Sequence, residues 1–148
     1  MNNAAASVAS PTPHSPGLPA SRLSARQLAI VVAWGVLLWF VVALLIRIAP
    51  RVAFDRGVLT VLLFATGLPN AWLTVWLTRR LASLSTQQLV PATAIACAAA
   101  MLCDGIALTW TTLYGPETKD LVPAAALLLW GVANILLVAF VTARREGA

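Results

Sequence analysis

Four apolar segments, each about 20 residues long, constrain the fold of this chain more than any other feature. An α-helix rises about 1.5 Å per residue, so about 20 apolar residues cross the roughly 30 Å hydrocarbon core of a bilayer. We therefore predict an all-α protein, an integral membrane bundle of four up-and-down helices. The predicted helices cover residues 28–48, 58–77, 90–112 and 121–142.

The composition excludes an ordinary soluble domain. Hydrophobic residues make up 60% of the chain and charged residues 10%, whereas soluble domains are about 45–50% apolar and about 25% charged. The net charge of +5 would favour a nucleic-acid partner in a soluble protein. Here the basic residues stand in ones to threes beside apolar segments, as they do where they orient membrane proteins. We predict the lipid bilayer as partner and no nucleic acid.

The chain divides into a tail, one membrane domain and a short basic end. Residues 1–26 are rich in Ala, Ser and Pro and are predicted to be disordered, because they have little to bury. The first apolar segment is too long for a signal peptide and has no small-x-small cleavage site after it. Residues 27–143 form the predicted transmembrane domain, and residues 144–148 form a basic C-terminal tail.

The linkers and the basic residues predict the topology. The linkers span residues 49–57, 78–89 and 113–120, and connections this short make consecutive helices antiparallel neighbours. Lys and Arg concentrate in cytoplasmic segments. An inner N-terminus places six of them inside, Arg22, Arg26, Arg79, Arg80, Arg144 and Arg145, and four outside, Arg47, Arg51, Arg56 and Lys119. We therefore expect both termini in the cytoplasm.

Proline and aspartate predict where the helices start and bend. Pro69 removes a backbone hydrogen bond inside the second apolar segment and is expected to kink it. Pro91 and Pro123 are expected in the first turns of the third and fourth helices, where a missing N–H has no consequence. Asp120 is the expected N-cap of the fourth helix.

Asp104, the one acidic residue inside the four apolar segments, is the centre of the predicted site. At about 1.5 Å per residue it lies roughly 12 Å from the outer end of its helix, as does Trp130, while Thr66 comes near 13 Å. Asn70 and Asn134 fall about 6–8 Å deeper. We predict that these five residues form an intramembrane polar site. Its expected hydrogen-bond donors to Asp104 are Trp130 or Thr66.

Small residues at a spacing of three and four predict a packing face on the third helix. Such residues let helix backbones approach closely in membranes. The face consists of Ala92, Ala96, Ala99, Cys103 and Ala107.

The residues needed for enzyme, metal or cofactor chemistry are missing from the apolar segments. His14, the only histidine, lies in the tail, and the sequence has no metal-spaced Cys/His set, phosphate-binding loop or Ser–His pair. We predict a non-enzymatic protein with no metal and no cofactor.

The second half of the chain resembles a known family. "LCDGIALTWTTLYGP" followed by "AAALLLWGVANILLVAFV" is similar to the second half of a bacterial family of small four-helix membrane proteins, known only as a domain of unknown function. Asp104 and Leu129–Gly131 carry the resemblance, which covers about 40 residues. It implies a multi-pass protein of the bacterial plasma membrane and implies no activity.

Two functions remain open. The first is a structural or accessory membrane component that packs through its Ala-rich helix, as a homo-oligomer or in a larger complex. The second is a small oligomeric transporter or channel component in which Asp104 is a protonatable site. We predict the first, because a hydrogen-bonded strut is enough to account for a single acid, and we keep the second as the alternative, because intramembrane acids often mark functional sites.

Overall fold

Five helices form this protein in a computed structural model that describes residues 22–48, 57–114 and 118–147. No strand occurs within those ranges, so the predicted all-α class is confirmed there. The helices are α1 (Ala25–Ile48), α2 (Val58–Ala65), α3 (Gly67–Ala82), α4 (Thr86–Trp110) and α5 (Thr118–Gly147). With α2 and α3 counted together, four helical segments are long and apolar enough to cross a membrane. The predicted tail lies outside the described residues except at its end, where Ala25 and Arg26 begin α1.

The second apolar segment is broken at Thr66, which separates α2 from α3. Pro69 follows three residues later and cannot donate a backbone hydrogen bond into the preceding turn. The predicted interruption therefore exists, as a break between two helices at Thr66. The backbone N–H of Thr66 donates to the Leu62 oxygen at 3.1 Å, so the last turn of α2 is capped by the residue at the break.

Polar residues extend the helices beyond the predicted apolar limits. Ser85 and Gln88 form a capping box that starts α4 at Thr86. Pro91 and Pro123 are each the sixth helical residue, so their predicted first-turn positions were wrong. Asp120 lies inside α5 and is not its N-cap. The C-terminal basic residues through Gly147 are helical as well.

The helices pack in a ring around the site. The closest pairings are α1 with α4, α3 with α5 and α4 with α5, while α1 meets α3 less extensively and α2 packs mainly on α3. In the described chain, α1 and α2 share at most a few contacts.

Two apolar clusters fill the two ends of the ring. The first cluster joins buried residues from all four segments, Val31, Val75, Ala82, Leu84, Leu89, Ala92, Ala96 and Ala139. The second cluster joins the last turns of α1 and α4 to the beginning of α5, through Ala43, Ile46, Ala107, Tyr114 and Ala124. The space between the clusters is the part of the interior that apolar side chains do not fill.

Gly35 sets the contact between α1 and α4. A Cβ at this position would lie 2.4 Å from the backbone oxygen of Ala96. Only glycine permits two backbones to approach this closely, and small residues serve this purpose at membrane-helix interfaces. The contact fixes the height of α1 against α4, and with it the height of Trp39, one turn further along, against Asp104.

Hydrogen bonds hold four helix ends together at the end of the bundle near the first cluster. Gln27, at the start of α1, donates to the backbone oxygen of Ala82 at the end of α3 and to the side-chain oxygen of Gln88 in α4, at 3.2 and 3.3 Å. Arg79 pairs with Glu146 near the end of α5. We call these contacts the polar end cluster.

Candidate functional site

Asp104 is buried, and two aromatic side chains donate hydrogen bonds to its carboxyl group. The indole N–H of Trp39 donates to Oδ1 at 2.8 Å, and the Tyr114 hydroxyl donates to the same oxygen. Trp39 also donates to the Tyr114 hydroxyl oxygen at 3.1 Å, so the three groups form a triangle. Within the described chain no hydrogen bond reaches Oδ2. One carboxyl oxygen is therefore held in place while the other is free to act.

Tyr114 acts as a fixed donor in this triangle. It lies just beyond α4 and is buried in the second apolar cluster. Burial, reinforced by the hydrogen bond to the Asp104 carboxyl, raises the pKa of its phenol above the ordinary value. The phenol consequently keeps its proton and donates to Asp104, and it does not compete with the carboxyl for protons.

Asp104 lines a cavity of about 410 Å³ between the two apolar clusters. All of the described spanning segments contribute to its wall. Polar groups on the wall come from Trp39, Thr66, Asn70, Thr74, Asp104 and Trp130, and the rest is largely aliphatic. A mostly apolar cavity with a few convergent polar groups has the composition of a small-molecule site.

The predicted donors Trp130 and Thr66 line this cavity but bond elsewhere. Trp130 donates its indole N–H to the Phe64 backbone oxygen at 3.0 Å, and the Thr66 hydroxyl donates to the Leu63 backbone oxygen at 2.7 Å. Both acceptors lie in the last turn of α2, next to the break at Thr66. The expectation that either residue donates to Asp104 was wrong, because both donors bond to backbone oxygens beside the helix break.

The two predicted asparagines lie at different places. Asn70 lines the cavity and is exposed there. Asn134 is buried and donates from Nδ2 to the backbone oxygen of Trp130 at 2.8 Å, one turn earlier in α5. Four of the five predicted residues therefore line the cavity, namely Asp104, Thr66, Asn70 and Trp130. Asn134 does not line it and is hydrogen-bonded to the backbone of Trp130.

The predicted packing face of α4 divides between the two clusters. Ala92 and Ala96 belong to the first cluster, and Ala107 belongs to the second. Ala99 and Cys103 are half-buried.

Trp39 and Tyr114 are the site residues that sequence reasoning missed. Trp39 comes at a depth similar to that of Asp104, and that signal was present in the sequence. Tyr114 gave no comparable signal, because it follows the apolar segment and looks like a linker residue. The structure folds it back onto α4, where Ala107 and Ala124 pack around it.

Arg47 does not reach the carboxyl. Its guanidinium donates from Nη1 to the backbone oxygens of Thr112 and Leu113, at 2.9 and 3.3 Å. Among the described residues, none of those lining the cavity is Lys, Arg or His. No group of three or more potential metal ligands occurs within residues 22–48, 57–114 and 118–147 either.

A change at Gly67 is expected to disturb the cavity wall. A Cβ at this position would lie 2.9 Å from Nε1 of Trp130 and 3.3 Å from Nδ2 of Asn134. Gly67→Ala should displace Trp130 from the Phe64 carbonyl and lower the free energy of unfolding by about 1 kcal/mol, because the hydrogen bond between them is lost. Thermal unfolding in detergent measures this loss. Gly131→Ala, where the new Cβ meets nothing within 4 Å, is the control and should not be destabilised.

Comparison of the whole chain with protein-family models, curated proteins and solved structures finds no match.

Proposed function

We propose that this chain is a multi-pass protein of the bacterial plasma membrane and works there as a small transporter or channel component. Four apolar helical segments of spanning length support the membrane location. Large apolar side chains on the outside of the helices support it as well, for example Phe40, Leu102 and Ile106, which are 54, 71 and 57% exposed. Exposed apolar helix faces of this kind are stable in contact with the hydrocarbon core of a bilayer. The bacterial assignment rests on the family resemblance of residues 102–141.

The polar end cluster supports an up-down arrangement with cytoplasmic termini. It brings together the start of α1, the end of α3, the start of α4 and the end of α5, as alternating helix directions require. The predicted inner set of arginines belongs to these same helix ends, and an excess of Lys and Arg marks the cytoplasmic side.

One observation carries the transport proposal, namely that the free oxygen of Asp104 belongs to a carboxyl group lining a cavity. A carboxyl used only as a strut needs donors and gains nothing from an adjoining cavity. Here Trp39 and Tyr114 bind one oxygen and orient the group, and the same residue lines the cavity. Ionisable residues in membranes commonly serve proton or ion pathways. Asp104 then takes up and releases a proton during transport.

Transport across the bilayer favours an assembly. The cavity lies within one chain and can hold a ligand there. Four helices are few, however, to enclose a complete transport path across the bilayer. We therefore include a homo-oligomer or a larger membrane complex in the proposal, because closed symmetric assemblies are the usual solution for small subunits. A purely structural or accessory role is the competing proposal, and it predicts that Asp104 is replaceable by asparagine.

Proton flux through reconstituted vesicles tests the proposal. Full-length protein is placed in lipid vesicles with an imposed pH gradient, and a trapped pH-sensitive dye follows its decay. Asp104→Asn keeps the size and the hydrogen-bonding oxygen of the side chain. It removes the carboxyl group that can take up and release a proton. We expect it to reduce the flux to that of protein-free vesicles, while circular dichroism shows unchanged helix content.

Glu146→Gln is the matched control, since it also removes one carboxyl but lies exposed at the polar end cluster. It should retain the wild-type flux. Infrared spectra provide a second readout, in which the wild type and Glu146→Gln keep a pH-dependent signal from a buried carboxyl and Asp104→Asn loses it. Wild-type flux in Asp104→Asn, or a buried carboxyl signal that never changes with pH, would contradict the proposal and favour the structural role.

A further inference from the structure

The cavity beside Asp104 also identifies a ligand class, and this inference rests on the proposed function. We propose that the cavity binds a lipophilic organic amine in its cationic form, with the ammonium group on Oδ2 of Asp104 and the apolar body along the aliphatic wall.

The charges around the cavity favour a cation. Asp104 is the only ionisable side chain among the described residues that line it. The nearby Arg47 uses its guanidinium on two backbone oxygens beyond α4. An ionised Asp104 therefore has no cationic partner from the described chain. An isolated charge in apolar surroundings is unfavourable, so a ligand that brings the opposite charge gains from pairing with it.

The hydrogen bonds around the carboxyl leave room for an ammonium group. Trp39 and Tyr114 both donate to Oδ1 and thereby turn Oδ2 into the free acceptor. Thr66 and Asn70 line the same cavity and offer further oxygen acceptors for the remaining ammonium hydrogens. The indole of Trp39 forms part of the wall, and cations are attracted to indole faces. A negatively charged ligand would be repelled by the carboxylate and would gain none of these favourable contacts.

The size and composition of the wall define the rest of the ligand. The volume of about 410 Å³ falls within the range of small-molecule sites, about 300–1,000 Å³. Leu38, Leu127, Leu128 and Ile135 contribute aliphatic surface. A polar solute such as a sugar would leave most of its hydroxyl groups without partners against this surface, which is unfavourable. An aryl or alkyl body fits it.

The exposed part of the cavity lining also favours a lipophilic ligand. Three residues that line the cavity are also exposed, namely Leu45 in α1, Thr66 at the helix break and Asn70 in α3. In the proposed membrane location, acyl chains lie against these exposed residues. A ligand that arrives there must first dissolve in the membrane, as lipophilic amines do.

Phenylbutylamine binding to full-length protein in lipid nanodiscs tests the inference. Calorimetry measures its affinity after subtraction of empty nanodiscs, alongside phenylbutanol, phenylbutyrate and ethanolamine. Phenylbutanol lacks the charge, phenylbutyrate reverses it, and ethanolamine lacks the apolar body. We expect saturable amine binding at least about tenfold tighter than for the other three, the ratio that corresponds to about 1.4 kcal/mol.

Two variants separate the ligand class from a general affinity for amphiphiles. Asp104→Asn should weaken phenylbutylamine binding about tenfold or more, since it removes the negative charge that pairs with the ammonium group. Glu146→Gln should bind like the wild type. Equal binding of the amine and the alcohol, or unchanged amine binding in Asp104→Asn, would overturn the inference.

The failure of this inference is distinguishable from the failure of the proposed function. If Asp104→Asn abolishes proton flux but the wild type binds no amine, the proposed function stands and the ligand class is wrong. If the wild type neither conducts protons nor binds amine, both are wrong.

Discussion

Gly35→Ala is expected to lower the free energy of unfolding by about 2 kcal/mol. The new methyl group would lie 2.4 Å from the backbone oxygen of Ala96, so α1 and α4 must separate. Overpacking of this kind costs about 1–3 kcal/mol. Because the clash is with backbone, which cannot rotate away as a side chain does, we take the upper value. Alanine recovers about 1 kcal/mol through its higher helix propensity.

Gly105→Ala is the matched control for this change. Gly105 lies inside α4, and a Cβ there meets nothing within 4 Å. The Gly105→Ala variant gains the same helix propensity without the clash. Its free energy of unfolding should therefore be unchanged or higher by up to about 1 kcal/mol. Unfolding in detergent, followed by circular dichroism, compares the two. Equal stability of the two variants would show that the close contact between α1 and α4 does not limit packing.

The helical part of the fold is predictable from sequence because hydrophobic length is a strong signal. Four apolar segments correspond to the four spanning-length segments of the structure. The helix limits are less predictable, because they depend on polar turns outside the apolar segments, such as the capping box of Ser85 and Gln88. Likewise Pro69 signals an interruption, but the position of the break at Thr66 follows from local backbone geometry.

The site is predictable in its centre and unpredictable in its partners. An acid inside an apolar helix identifies Asp104, and a matching depth brings Thr66 and Trp130 to the same cavity. Depth does not say which acceptor a donor takes. Trp130 faces both the cavity and a carbonyl at the end of α2, and the carbonyl receives its N–H. Tyr114 reaches Asp104 through the turn after α4, and helical spacing contains no information about such a turn.

Trp39→Phe is expected to lower the free energy of unfolding by about 2–3 kcal/mol and to disturb Asp104. Phenylalanine keeps an aromatic ring but removes the N–H that lies 2.8 Å from Oδ1 and 3.1 Å from the Tyr114 hydroxyl oxygen. The first of these is a hydrogen bond to a carboxyl group, a kind that contributes about 1.5–3 kcal/mol when the group is charged. With Tyr114 as its remaining described donor, the carboxyl loses the fixed orientation that keeps Oδ2 available.

Trp34→Phe supplies the comparison that makes this result interpretable. Trp34 lies on the same helix, is half-buried like Trp39, and donates its indole N–H to the Thr78 hydroxyl at 3.1 Å. Both variants lose the same ring volume and an indole hydrogen bond. Thr78 still donates to the backbone oxygen of Thr74 at 2.7 Å, so Trp34→Phe should cost only about 1 kcal/mol. Trp39→Phe should in addition change the infrared signal of the buried carboxyl, which Trp34→Phe should leave alone. If both variants lose equal stability and neither changes that signal, Trp39 only packs, and the orienting triangle around Asp104 has no role in its chemistry.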